Sequence, residues 1–409
     1  MPAMPAAPAA SAKPAASARP AVLHYVGYDT DAGGIVSIVR NLAGAAAARF
    51  DCVLGVNPGF AQLRAPPLPV LELPRVEGER ISPSAFWRAR IAARAAQSWL
   101  RADGRNIFHG HSRAGLLVAL WLARWGERRA VASVHCYGRR RWFYRWAARS
   151  LGGRLWMLSP AMLRYYGIGA AAGWEKCLPG CVRFPVAGGH GGERRGAPRD
   201  GVLPAGGGLL AEARPADGTG VLRAGGIGAL ARWKGWHLAL EALARLPAEA
   251  RGRWRFTHIG GEDGSAESAR YAAELRAQTR ALGLETCVRW AGPRPSSEAL
   301  LRGLDVLLVP SDNEPFSVAR LEALAAGVPS LSADSGGARD LVVPPENGWL
   351  FRSGDAEDMA RHLARLAAPG ALAEARIDRA ALARRFSVEA SVARHAEIYE
   401  VLLSGGGNE

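Results

Sequence analysis

The stretch Pro310-Ser-Asp-Asn-Glu314-Pro-Phe-Ser-Val-Ala-Arg-Leu-Glu322-Ala-Leu-Ala-Ala-Gly327-Val-Pro329 sets two carboxylates eight residues apart across the junction of a strand end and a helix. Ahead of it, Leu304-Asp-Val-Leu-Leu-Val-Pro310 is a short apolar run ended by proline, which reads as a buried strand. Residues 316–326 have helical spacing closed by Gly327. A helix therefore starts beside a polar strand end. In an open α/β sheet, ligands bind outside the carboxyl ends of the strands, and free amides at a helix N-terminus suit a phosphate. If the segment were fully helical, Glu314 and Glu322 would stand about 12 Å apart along the axis. That is too far for one proton-transfer pair and suits a grip on two parts of an elongated ligand.

A second motif lies upstream. Residues 221–227 form an apolar run entering Gly225-Gly-Ile-Gly228-Ala-Leu-Ala-Arg232-Trp-Lys234-Gly235, and residues 236–246 are helical in pattern. A strand, a glycine-rich turn and a lysine at a helix start make a phosphate cradle, because glycines allow close backbone approach and the lysine neutralises an oxygen. Between the two motifs, Phe256-Thr-His-Ile259-Gly260-Gly-Glu262 and Cys287-Val-Arg-Trp-Ala-Gly292-Pro293 read as strands with turns, separated by an amphipathic helix at 268–281. Such alternation predicts a parallel, doubly wound domain.

The first half alternates in the same way. Val22-Leu-His-Tyr-Val-Gly27 is an opening strand, and Tyr28-Asp29-Thr-Asp31-Ala-Gly33-Gly34 is a loop into a helix over 35–48. Asp31 is expected there to cap the helix or to touch a ligand in the cleft (the acceptor side, if the chain transfers a group), while the Asp29/Asp31 pair also invites a metal reading. Asn106-Ile-Phe-His109-Gly-His111-Ser112 and Ala130-Val-Ala-Ser133-Val-His135-Cys-Tyr137 end two further strands. His109, His111 and His135 can be drawn as a zinc set, but lack an accompanying carboxylate pattern. No resident metal or cofactor is expected.

Taken together, these segments resemble the retaining glycosyltransferases of family 4, which have the GT-B fold. There the first motif reads Pro-Ser-x-x-Glu-Pro-Phe-Gly, then Leu-Glu-Ala-Met-Ala-x-Gly-x-Pro, then a Gly-Gly turn. Here the turn is Asp334-Ser-Gly336-Gly337-Ala-Arg-Asp340, followed by Asn347-Gly348-Trp-Leu-Phe351 and Gly354-Asp355. The resemblance covers most of residues 21–403 and is most specific over 304–355. It implies that Glu314 binds hydroxyls of a donor sugar, that Glu322 holds the ribose, and that amides near Phe316 and Ser317 face a diphosphate. Ser317 stands where the family has glycine. The family's Gly-Arg-Leu-x-x-x-Lys-Gly implies Lys234 as a cation on the leaving diphosphate. Ala229 occupies the arginine position, so either Arg232 supplies the second charge or the diphosphate is managed with one cation. Gly33, Gly34, Gly228 and Gly292 are implied to border the nucleotide sugar, with His135 near the reacting carbon; His111 is read either as an acceptor contact or as support behind the residues that touch substrate.

Composition bounds the partners. At 409 residues the chain accommodates two cores, and no apolar run is long enough to span a bilayer. Of the formal charge of +15, the whole excess lies early: the first 190 residues carry 25 Lys and Arg against 9 Asp and Glu, the remainder 27 against 28. Basic and aromatic residues interleave over 121–154, from Trp121 and Trp125 to Arg139-Arg-Arg141-Trp142-Phe143-Tyr144-Arg145-Trp146. Rings that bury and guanidinium groups that meet phosphate suit an anionic membrane surface at the cytoplasmic face. Nucleic acid is not an expected partner, because no recognition module is visible. Five cysteines in no metal or disulfide spacing imply reduced thiols.

The expected organisation is an Ala/Pro-rich tail (1–20), a Rossmann-like acceptor domain (21–186), a Gly/Pro-rich linker (187–220), a Rossmann-like nucleotide-sugar domain (221–380) and a terminal helix returning to the first domain (381–409), the two domains facing each other across a cleft. The expected activity is retaining transfer of a sugar from a UDP- or GDP-linked donor to a saccharide or lipid-linked hydroxyl acceptor of the cell envelope. Two other readings stand beside it: a GT-B epimerase or phosphorylase, and a non-catalytic scaffold in polysaccharide assembly, which Ala229 would explain.

Overall fold

The structure is a computed structural model describing residues 19–30, 34–46, 48–62, 66–76, 81–169, 173–185, 220–294 and 296–405. Apart from Arg19, Pro20 and Gly220, the expected tail and linker lie outside the described residues. The first half supplies β1 (Ala21–Tyr25), β2 (Asp51–Val56), β3 (Val70–Glu72), β4 (Ile107–Gly110), β5 (Ala130–Val134) and β6 (Leu155–Met157). The second supplies β7 (Leu222–Ile227), β8 (Trp254–Ile259), β9 (Val288–Trp290), β10 (Val306–Val309), β11 (Ser330–Ala333) and β12 (Gly348–Phe351).

These form two six-stranded sheets, β3-β2-β1-β4-β5-β6 and β12-β11-β10-β7-β8-β9. Every pairing is parallel. Parallel strands need crossovers, and crossover helices cover both faces, which is why β5 and β10 are buried along their whole length. Numbered within its own half, each sheet has the order 3-2-1-4-5-6. The order in which successive strands are laid down reverses between β1 and β4 in one and between β7 and β10 in the other, and a crevice opens at each switch point.

Close backbone approach fixes the second crevice. Gly235 has φ +74°, and a Cβ there would lie 2.2 Å from the Pro310 carbonyl oxygen. Only glycine lets the turn after β7 press against the end of β10 in this way. Gly336 repeats the arrangement on the other side: it has φ +55°, and its Cβ would meet the Glu314 carbonyl oxygen at 2.3 Å.

The two halves are joined by packing that includes the terminal helix. After the helix Arg379–Phe386, the helix Val388–Leu403 lies on the first half, where Val392, Ala396 and Tyr399 share an apolar cluster with Ile38, Leu42 and Phe50. The Tyr399 hydroxyl reaches His109 Nδ1 at 2.7 Å. Phe316, from the second half, is buried between Trp174 and Phe386. Ser159 of the first half donates to the Pro315 carbonyl at 2.9 Å, and the Ala161 amide and Arg164 both bind the Asp340 carboxylate. The loop carrying Glu314 is thus clamped from both sides.

Gly235→Ala is expected to destabilise the protein by roughly 2–4 kcal/mol, the sum of a positive φ and a backbone clash. Chemical denaturation measures the loss, and a stability within 0.5 kcal/mol of wild type, itself about the scatter of neutral surface changes, would show that the turn does not need glycine.

Candidate functional site

The ends of β7 and β10 meet at the switch point, and Lys234 and Glu314 meet there with them. Lys234 ends a 3-10 turn, Arg232–Lys234, that leads into the helix Trp236–Arg245. Its Nζ lies 2.6 Å from Glu314 Oε2, with side-chain exposures of 17% and 10%. The ammonium also sits 4.2 Å from the centroid of the Trp233 ring. Such a pair, held between an indole and the Glu314 loop, is less screened than a surface ion pair.

Backbone conformation at Glu314 is unusual. Among the described residues, the non-glycine residues with positive φ are Asn313 (52°) and Ser317 (65°), and both flank Glu314. Strain of this kind persists where the surroundings over-determine the chain, and here the Gly337 amide donates to the Glu314 carbonyl at 2.9 Å. The sequence pattern predicts helix from residue 316, but the helix runs Val318–Ala325, because Ser317 is its cap: its Oγ accepts from the Arg320 amide at 3.3 Å. Ser317 therefore holds the left-handed conformation for which glycine is suited. Phe316, Ser317, Val318 and Ala319 present this helix start to the cleft. Glu322 follows on the same helix and accepts from Ser297 Oγ at 2.8 Å, close to Gly292 (φ +70°).

One sequence expectation is corrected. Arg232 does not stand beside Lys234 in the cleft: it pairs with Glu274 and lies over the Tyr271 ring at 5.0 Å, with its side chain half exposed. The intervening Trp233 turns the two cations to different sides. Lys234 thus faces the cleft without Arg232, and Ala229 also lines the wall, its carbonyl taken by Trp236 Nε1 at 2.9 Å. Gly228 (φ +149°) and Gly34, the first residue of the helix Gly34–Ala46, border the same cleft. Asp31 and Gly33 lie outside the described residues. Asp29 is bound by Arg75 (2.9 Å) and by Asn57 (2.9 Å), which hold its carboxyl below the usual range.

On the first-half wall, the ends of β4 and β5 bring histidines together. His135 faces the cleft, and its Nε2 lies 3.2 Å from His111 Nδ1. His111 Nε2 lies 2.8 Å from His24 Nδ1, and the His111 ring stacks on His109 at 4.0 Å. His109 engages Ser133 Oγ as well as Tyr399, both at 2.7 Å. Burial pushes His24 and His135 down to about 3 and His109 and His111 well below the ordinary value. All four rings are neutral near pH 7, where the second half instead presents a cation. The histidines whose nitrogens lie within 4.8 Å of one another are His24, His109 and His111, so the set drawn from the sequence with His135 is not the one the fold assembles. His24 escaped the sequence reading because it interrupts an apolar strand 87 residues from its partner; its one signal is a polar residue where β1 is otherwise apolar.

Both walls enclose a single cleft of about 2390 Å³. First-half lining residues include Arg40, Arg75, Arg113 and Arg139, and second-half lining residues include Glu262, Asp263, Asp312, Glu314 and Glu322.

Comparison with known proteins matches the second half to a family. Residues 224–382 match Glycosyl transferases group 1. The chain is 32% identical over 185 residues to the D-inositol 3-phosphate glycosyltransferase of Corynebacterium aurimucosum, covering 44% of this chain and 42% of that protein. It is 33% identical over 147 residues to the putative colanic acid biosynthesis glycosyltransferase WcaL of Salmonella typhimurium, covering 34% of each. The chain thus spans less than half the length of these curated relatives. Among solved structures, sucrose-phosphate synthase from Thermosynechococcus elongatus superposes with a TM-score of 0.69 at 18% identity, covering 95% of this chain and all of that one. Anabaena HepE in complex with UDP-glucose gives 0.66 at 18% identity, covering 94% and 100%. Two facing doubly wound halves are the GT-B fold, shared with these solved structures, and residues 224–382, which build the Lys234–Glu314 wall, match the glycosyl transferases group 1 model.

Proposed function

We propose that this chain is a retaining glycosyltransferase that moves a sugar from a nucleotide diphosphate sugar to a hydroxyl of a saccharide or lipid-linked acceptor. The observation that carries it is the convergence of Lys234, Glu314, the start of the helix Val318–Ala325 and Glu322 on one wall of the cleft, inside the region matched to the family. In this reading Lys234 and the helix amides stabilise charge on the leaving diphosphate, Glu322 takes the ribose hydroxyls, and Glu314 takes hydroxyls of the sugar. The bond from the anomeric carbon to the phosphate oxygen breaks with its electron pair passing to the diphosphate. The acceptor oxygen bonds to the same face, and its proton passes to a donor phosphate oxygen. Glu314 is committed to Lys234 and Glu322 to Ser297, so neither is placed as a free nucleophile. Lys234 and the helix end supply the positive field in this scheme without a metal ion. A UDP- or GDP-linked donor is the reading; the shared fold with HepE in its UDP-glucose complex supports the former.

The acceptor half supports an anionic acceptor at a membrane. Four arginines line its wall of the cleft. Outside the cleft, the basic-aromatic segment 121–154 divides: Trp121, Phe143 and Tyr144 are core residues, whereas Trp142 and Trp146 are exposed. Trp87 and Ile91 of the helix Pro83–Ala102 are about 60% exposed (61% and 62%), and Phe86 joins this helix to Trp146 at 6.5 Å. Arg88, Arg94, Arg140, Arg145 and Arg149, on or next to the helices that carry these rings, are exposed as well. No helix among the described residues is long and apolar enough to cross a membrane. Exposed indoles and guanidinium groups on these helices fit the headgroup layer of anionic lipid at the cytoplasmic face.

Titration calorimetry with UDP, GDP, ADP, CDP and their sugar conjugates tests the donor site. One nucleotide is expected to bind selectively and to lose its affinity in Glu322→Ala, while Lys234→Ala lowers turnover about 10²–10³-fold, as loss of one transition-state contact does. Indifference to every nucleotide would overturn the reading in favour of a scaffold. Turnover of a nucleotide sugar with no acceptor added would point instead to an epimerase.

In vesicle sedimentation, the protein should pellet with phosphatidylglycerol-containing vesicles and remain in solution with pure phosphatidylcholine, and Trp87→Ser with Trp146→Ser should weaken pelleting at least tenfold, about 1.4 kcal/mol. Equal pelleting of the double variant would remove this face from consideration.

A further inference from the structure

His24, His111 and His135 form a hydrogen-bonded series that runs from the core of the first half to the cleft wall. His24 Nδ1 is 2.8 Å from His111 Nε2, and His111 Nδ1 is 3.2 Å from His135 Nε2. All three rings are neutral, since burial moves each far below its ordinary value. A hydrogen bond between two neutral imidazoles needs one ring nitrogen with its proton and one without. Two such contacts in series therefore leave two arrangements. Either every proton points outward, toward the cleft, or every proton points inward, toward the core.

The inner end distinguishes them. His24 Nε2 is fully buried and has no hydrogen-bond partner among the described residues. With the protons pointing inward, this atom would carry an N–H in a site with nothing to receive it. Orphaned buried N–H groups are rarer and costlier than an unused acceptor. With the protons pointing outward, it holds only a bare lone pair. His24 Nδ1 then donates to His111 Nε2, His111 Nδ1 donates to His135 Nε2, and the His135 proton is left on Nδ1. The outer end is open: His135 lines the cleft, and its Nδ1 is not among the buried atoms that lack a partner. His109, pinned by Ser133 and Tyr399, stacks on His111 and fixes the plane of the middle ring.

We propose that His24 and His111 are positioning residues that lock His135 in the Nδ1–H tautomer, so that it presents a fixed hydrogen-bond donor to an oxygen of the substrate in the cleft. The direction matters for chemistry. A donor receives a hydroxyl or phosphate oxygen and resists taking a proton, so His135 acts as an anchor for substrate oxygen and not as a base. The substrate class rests on the glycosyl-transfer reading above, whereas the tautomer is a property of the protein alone.

Long-range ¹H–¹⁵N correlation NMR on protein labelled with ¹⁵N-histidine measures the tautomer directly, without substrate, with His135→Gln used to assign the resonances. The expected spectrum shows His135 with a protonated Nδ1 and a bare Nε2, the reverse of the form that neutral histidine side chains favour in water. His111→Phe, which removes the donor, is expected to return His135 to the Nε2–H form. An Nε2–H His135 in the wild type would overturn the proposal, as would an imidazolium there at pH 7, or one equivalent of zinc in the purified protein that shifts the His24, His109 and His111 resonances. If the tautomer is as stated while no nucleotide binds in calorimetry, the histidine series stands and the glycosyl-transfer reading falls.

Discussion

The close backbone approach at Gly235 and Gly336, which sets Lys234 against Glu314, is the constraint on which the second-half wall of the cleft depends. Lys234 and Glu314 are 80 apart in sequence, and what brings them together is the crossover that places β10 beside β7. Backbone then sets the spacing. Gly235 lies against Pro310, Gly336 against Glu314, and Asn313 and Ser317 take positive φ on either side of the carboxylate. A side chain at either glycine would push the two strand ends apart. The charged pair is therefore held by chain geometry and not by the modest attraction of its charges, which alone would not fix a position to within a few tenths of an ångström.

The two walls of the cleft solve different electrostatic problems on the same topology. The second half presents Lys234 and a helix start where an anion would sit. The first half presents neutral imidazoles, backed by a buried network whose last members come from the terminal helix through Tyr399. Arginines line the same wall, among them Arg75, Arg113 and Arg139, and Arg145 is exposed on the outer face. Imidazole hydrogen bonding is thus available on one wall, and Lys234 with the helix start on the other.

Much of this is legible in the sequence, and each exception has a physical cause. Apolar runs ended by glycine or proline locate β7, β8 and β10, since buried parallel strands need such composition on both faces. The phosphate-cradle pattern locates Lys234 because its partners are local. Arg232 was misplaced because spacing along a 3-10 turn says little about which side a residue faces, and Trp233 sits between the two cations. The start of the helix at Val318, two residues later than periodicity implies, follows from the positive φ of Ser317, a departure from the glycine that the motif leads one to expect. His24, Tyr399 and the exposed Trp87 face were hidden for a different reason. Their roles depend on neighbours brought close by the tertiary fold, and no local pattern encodes those contacts.

The central claim is that a nucleoside diphosphate lies across the ends of β7 and β10. A crystal structure of the protein with the tightest-binding nucleoside diphosphate tests it most directly. The account predicts a phosphate oxygen within hydrogen-bond distance of Lys234 Nζ, with the ribose hydroxyls on Glu322. Nucleotide bound on the first-half wall instead, with Lys234 still held by Glu314 and Glu322 untouched, would contradict it.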